Sequence, residues 1–194
     1  NTNLSRLNYK TNNIFDYWKQ FSNISVGASI DASDQVAEYM RHGTVWQDII
    51  DNINAIKTHT PHVKLAISST VSWPTLENLI ELQTHWIHTG LFTPDQLQMH
   101  TLTDPGYLCV TTLPNSYKQS MTTKIDKHIN HLGQCELAQS WAELRNFMNS
   151  TSTEYQLSEF TKRTMTLDIH RKESFASVFP QFTDLFLVAN SSQT

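Results

Sequence analysis

The chain has 194 residues, 39% of them hydrophobic, and 14 basic against 18 acidic side chains give a net charge of −4 at neutral pH. That is enough apolar material for one good core, whereas a complete eightfold β/α barrel typically takes about 250 residues. The charge leaves no basic footprint for phosphate contacts, no apolar run is long enough to span a bilayer, and the two cysteines, Cys109 and Cys135, form neither a disulfide framework nor a cluster motif.

In chain order, Ile14, Tyr17, Trp18 and Phe21 stand at helical spacing and predict a helix that returns the chain to the next strand. From Ile24 the apolar Ile24, Val26, Ala28 and Ile30 alternate with Ser25, Gly27, Ser29 and Asp31, the pattern of a strand with two unlike faces. Thr44 and Gln47 then have capping-box spacing, and Trp46, Ile49, Ile50, Ile53 and Ile56 form one stripe of a helix. His59-Thr60-Pro61 breaks the chain before a second strand over 63–71 with the same plan. Trp73-Pro74-Thr75 opens a helix expected to bury Leu76, Leu79, Ile80, Leu82, Trp86 and Ile87, and Gly90 suits its end. A further strand is predicted over 97–102, with Leu97 and Met99 on one face and Gln98 and His100 on the other. Such alternating units build a β/α barrel or a doubly wound sheet, where chemistry sits at the C-terminal ends of the strands.

Pro105-Gly106 marks a turn, followed by a short extended run over 107–110, and there the alternation stops. Three helices are predicted over 118–132, 136–148 and 158–171, with Gly133 between the first two. Phe175, Val178, Phe179 and Phe182, around Pro180, are expected to dock the tail onto the core.

Parity selects the candidate site. Ser29 and Asp31 share the face opposite Ile30, and Ser68 and Thr70 hold the same parity in the second strand. The bland reading is that Ser29 satisfies backbone groups and Asp31 caps the loop that follows. Arg41 either grips a carboxylate bidentately or anchors the loop to its own helix. The nine histidines include HxxH pairs at His59/His62, His85/His88 and His128/His131, but none carries the Glu of HExxH or a third ligand, so no metal site is expected in this chain. Cys109 is expected to be a small buried residue, and Trp18, Trp46, Trp86 and Trp141 to be core.

The combination of strand, Ser29-Ile30-Asp31-Ala32, Glu38-Tyr39-Met40-Arg41-x-Gly43, Trp46 and Asn52-Ile53 resembles the fourth strand and its helix in radical S-adenosylmethionine enzymes of the SPASM or twitch branch. That family usually has Gly at the position of Ala32. Thr2-Asn3 resembles the end of its third strand, Thr70-Val71 with Asn78 and Gly90 its fifth unit, and Thr166-Leu167-Asp168 with Arg171, Ser174-Phe175 and Phe179-Pro180 the tails of its phage and bacterial twitch members.

The resemblance implies the C-terminal part of a partial (β/α)6 TIM-like barrel, parallel strands 3 to 6, over residues 1–115, and a mainly helical C-terminal extension over 116–194. It implies that Ser29, Asp31, Ser68, Thr70 and His100 line the S-adenosylmethionine site, with Asp31 and Arg41 toward the substrate. The [4Fe-4S] cluster that cleaves the cofactor to a 5′-deoxyadenosyl radical takes its CxxxCxxC ligands upstream, so the expected partners are S-adenosylmethionine, a peptide or small-molecule substrate and the missing N-terminal half of the same protein. No nucleic acid or membrane partner is expected, the chain alone is expected to be inactive, and a cytoplasmic location is the default. Two readings from other classes stand beside it: a non-catalytic α/β binding or interaction module that keeps the barrel framework, and an unrelated barrel enzyme using Asp31 with a histidine for acid–base work.

Overall fold

The computed structural model describes residues 1–185, and the fold is α/β. Its centre is a three-stranded parallel sheet, β3 (Ile24–Ser29), β4 (Val63–Val71) and β5 (Leu97–Thr101), in sequential order. Before it come a two-residue antiparallel hairpin, β1 (Asn8–Tyr9) with β2 (Asn12–Asn13), and a single turn of helix, α1 (Ile14–Trp18). The crossovers are α2 (Asp34–Met40) with α3 (Trp46–His59) between β3 and β4, and α4 (Leu76–His88) between β4 and β5. Beyond the sheet lie α5 (Asn115–Leu132), α6 (Glu136–Ser150), α7 (Leu157–Arg171) and the short α8 (Phe175–Val178).

The alternation in β3 and β4 translates directly into burial. Val26, Ala28, Ile30, Leu65, Ile67 and Val71 are buried beneath the helices, while Ser29, Ala66 and Ser68 are half-buried and Lys64 and Thr70 are exposed on the other face. One hydrophobic cluster continues from this face through Leu79, Leu82 and Trp86 of α4 to Met121 and Ile125 of α5 and Trp141, Leu144 and Met148 of α6. Burying a large apolar side chain contributes about 1.5–3 kcal/mol, so this cluster accounts for the packing of the helical half onto the sheet. Gly133, at φ 69°, supplies the left-handed residue between α5 and α6 that a side chain would resist. The buried ammonium of Lys118 donates to the Thr151 carbonyl at the end of α6, 2.7 Å away, and its burial holds the pKa below the usual lysine range.

The tail docks as its aromatic content predicts. Phe175 stacks on Phe179 with centroids 4.4 Å apart, and Phe160 and Phe182 meet Trp73 edge-on at 4.5 and 4.9 Å. Residues 186–194 of the predicted extension lie outside the described residues.

Several local expectations are corrected. The helix predicted from Ile14 to Phe21 is five residues long, because Tyr17 and Phe21 are 49% and 60% exposed and find no core to cover. The Thr44/Gln47 capping box does not form: Glu38 of α2 accepts the Trp46 N–H at 2.8 Å, and Gln47 bonds Asp51 instead. Helix α2 itself carries only Ala37 and Tyr39 as buried residues, too sparse a stripe to stand out. Residues 106–112 form two 3₁₀ turns rather than an extended run, since Leu108, Cys109 and Thr112 close i to i+3 bonds on Pro105, Gly106 and Cys109.

Candidate functional site

The register of the sheet sets the candidate residues in two rows on its open face. Ser29 pairs with Ser68 and Ser68 with Gln98; one step toward the C-terminal ends, Thr70 pairs with His100. Parallel strands in register must bring like parities together, so alternation in each strand becomes a polar strip across three strands. The side chains of Ser29, Ser68, Thr70, Gln98 and His100 make no hydrogen bond to other described residues. Thr2 extends the sheet beside β3, donating its N–H to the Gly27 carbonyl at 3.0 Å and accepting from the Ser29 N–H at 2.8 Å, in a parallel bridge to Ala28.

Asp31 stands just past the end of β3 and is engaged on both oxygens. Its Oδ1 accepts the Thr70 N–H at 2.7 Å, and its Oδ2 accepts from Nη2 and Nε of Arg41 at 2.7 and 3.1 Å. Arg41 follows α2 with a non-helical backbone, which turns its side chain back toward the strand that precedes the helix. The crevice lined by Ser29, Asp31, Met40, Arg41 and Thr44 among others holds only about 10 Å³. Ser69 Oγ donates to the Ile30 carbonyl at 2.6 Å, and Asn78 of α4 accepts the Ser33 N–H at 2.7 Å, so the loop after β3 is tied to both following units.

A second set of contacts, with no sequence signal because its partners lie far apart, ties the end of α7 to α2. Tyr39 donates its hydroxyl to Asp168 at 2.8 Å, Arg171 donates to the Tyr39 carbonyl, and His42 Nδ1 lies 2.6 Å from Glu173 Oε1. Burial, followed by the bond to Asp168, pushes the Tyr39 hydroxyl far above its ordinary pKa, so it stays protonated and keeps its proton for the bond to Asp168. Glu173 Oε2 is buried with no hydrogen-bond partner among the described residues.

The histidine pairs serve other ends. His62 meets the Trp18 carbonyl, and the His59 ring packs on Phe15. His128 is buried, its ring edge-on to Trp141. Gln83 Oε1 accepts from Trp141 Nε1 at 2.8 Å and lies 3.3 Å from His128 Nε2; an amide oxygen can only accept, so His128 carries its proton on Nε2. Burial lowers the His128 pKa to about 4. Cys109 is buried and accepts from the Thr111 hydroxyl, and among the described residues no three His, Cys, Asp or Glu side chains gather where they would hold an ion. No helix among the described residues is long and apolar enough to cross a membrane.

No protein-family model, no curated protein and no solved structure matches this chain.

Proposed function

We propose that the chain is the C-terminal arc of a partial β/α barrel from a cytoplasmic radical S-adenosylmethionine enzyme, whose open sheet face lines the cofactor site. The observation that carries this reading is the strip of polar side chains without partners among the described residues, Ser29, Ser68, Thr70, Gln98 and His100, which crosses three sequential parallel strands and reaches their C-terminal ends at Thr70 and His100, with the helices on the opposite face. Sequential parallel order with one covered face is what a barrel wall requires, and the strand ends are where barrels place their ligands.

The residues suit a nucleoside bearing an amino acid. Hydroxyls of Ser29, Ser68 and Thr70 both donate and accept, as ribose hydroxyls and an ammonium or carboxylate need, and His100 offers a ring edge at the last row. Asp31 orients: bonded to Thr70 and Arg41, it fixes the spacing of the two strand ends and sets the guanidinium at the mouth, toward a peptide or small-molecule substrate. Ser29, Ser68, Thr70 and His100 would hold S-adenosylmethionine, which, with an electron from a [4Fe-4S] cluster bound by the N-terminal half of the same protein, would supply radical hydrogen-abstraction chemistry toward the substrate. Ser29 and its neighbours bind and exclude water; they transfer no proton.

The test is anaerobic reconstitution of the protein from the complete reading frame with iron and sulfide, followed by assay for 5′-deoxyadenosine. Cleavage by the native protein, weakened by Ser29→Ala and Thr70→Val, is the expected result. A fully loaded cluster that cleaves no cofactor overturns the proposal.

A further inference from the structure

A groove of about 370 Å³ runs between α3 and α4, and none of the polar strip residues lines it. Its lining includes Trp46, Ile50, Trp86 and Leu91, with Asp34 and Glu81 as its acidic members. Trp46 stacks on the buried Trp86, centroids 6.4 Å apart and planes 18° from parallel, which holds the half-exposed Trp46 indole in place. Among the described residues no lysine or arginine lines the groove, whose one histidine is His85, and neither the Asp34 nor the Glu81 carboxylate pairs with any described residue, whereas Glu77 one turn earlier pairs with Lys124.

We infer that this groove docks an arginine-bearing peptide segment of a partner protein. Two unpaired carboxylates lining the same groove as a fixed indole complement a cation that is flat and weakly hydrated, because guanidinium stacks on an aromatic face while its N–H fork reaches carboxylates. A lysine ammonium, compact and strongly hydrated, gains less from the stacking. The groove follows α3 from Trp46 to Asn54, eight residue-to-residue steps, or about 12 Å at the helical rise of about 1.5 Å per residue, the span of three to four extended residues. Its length therefore fits a stretch of peptide with an apolar neighbour on Ile50 and Leu91, and exceeds what a lone guanidinium covers. The inference is independent of the proposed cofactor site.

The test is titration of the isotope-labelled protein with acetyl-Leu-Arg-Leu-amide, with its citrulline counterpart and with agmatine, followed by ¹H–¹⁵N spectra. The arginine peptide is expected to shift the Trp46 indole N–H, assigned with Trp46→Phe, and the amides of Asp34 and Glu81. Binding should weaken about fivefold in Asp34→Asn/Glu81→Gln, and the citrulline peptide should bind at least as weakly. Asn tolerates the positive φ of 52° at position 34 and Glu81 is exposed, so the double variant keeps the fold, which unchanged spectra elsewhere verify. Equal binding of the citrulline peptide, or shifts that leave Trp46 untouched, overturns the inference. Agmatine binding as tightly as the peptide reassigns the groove to a small organic cation and overturns the peptide partner.

Discussion

Asp31 Oδ1 accepts the backbone N–H of Thr70 at 2.7 Å, joining the residues just past β3 to the end of β4 across 39 positions of sequence. The same carboxylate carries Arg41 on its other oxygen. Asp31→Ala therefore leaves the Thr70 N–H without its acceptor and Arg41 without its partner. Asp31→Asn keeps an oxygen for Thr70 and loses only the ion pair, which is partly solvent-screened because the Arg41 side chain is 38% exposed. We expect urea denaturation to give a loss of about 1–3 kcal/mol for the alanine variant and under about 1 kcal/mol for asparagine. Equal losses would show that the bond to Thr70 contributes nothing beyond the charge.

His128 makes stability depend on pH. Its folded pKa is depressed to about 4 from an ordinary value near 6.5, so above pH 6.5 the ring is neutral in both states and has no effect. As pH falls from 6.5 to 4 the unfolded chain takes up a proton that the folded one refuses, and stability drops by an amount on the order of 1–3 kcal/mol before levelling off. Carboxylates add their own slope toward the acid end. The difference between native protein and His128→Gln isolates the histidine: thermal scans should show a gap that narrows between pH 6.5 and 4. A gap constant across that range would mean that burial does not hold the proton off.

The aromatic cluster at the tail separates packing from mere apolarity. Phe175 is 1% exposed between Phe160, Phe179 and Trp73, whereas Ile169, six residues earlier, is 77% exposed. Phe175→Ala should cost about 3–5 kcal/mol and Ile169→Ala less than about 0.5 kcal/mol, measured by equilibrium unfolding. Comparable losses would place Ile169 against a partner surface that covers it.

What could be read from the sequence was whatever a single element encodes by itself. The period-two runs in 24–30 and 63–71 locate β3 and β4, and with them the shared face of Ser29, Ser68 and Thr70, because side-chain parity is local and parallel register preserves it. The stripes of α3, α4, α5 and α6 are equally local. Contacts between distant segments left no such trace. Nothing in the spacing of Asp31 and Arg41 tells whether the carboxylate faces a ligand or its own loop, and the structure puts it on Arg41 and Thr70. The links from Tyr39 to Asp168 and from His42 to Glu173 span more than half the chain. Short elements misled for other reasons: around α1, Tyr17 and Phe21 have no surface to pack against, and at residues 107–110 local i to i+3 bonds wind a buried stretch into 3₁₀ turns.

The start of α3 offers a direct contest between local and tertiary control. By spacing, Thr44 is the capping residue and Gln47 its reciprocal partner, yet the first helical residue is Trp46, one position later than that box requires. The Trp46 N–H is taken by Glu38 Oε1, a carboxylate at the N-terminal end of a helix where negative charge is favoured. Because Glu38 belongs to α2, this bond also ties together the two helices, which lie on either side of the turn carrying Arg41. Glu38→Ala should therefore destabilise by about 1 kcal/mol, the usual cost of losing an N-cap, while Thr44→Ala should be nearly silent. Glu38→Gln keeps an acceptor without the charge and should fall between them. If Thr44→Ala proves the more damaging in urea melts, the helix is capped by its own sequence and the contact from α2 is incidental.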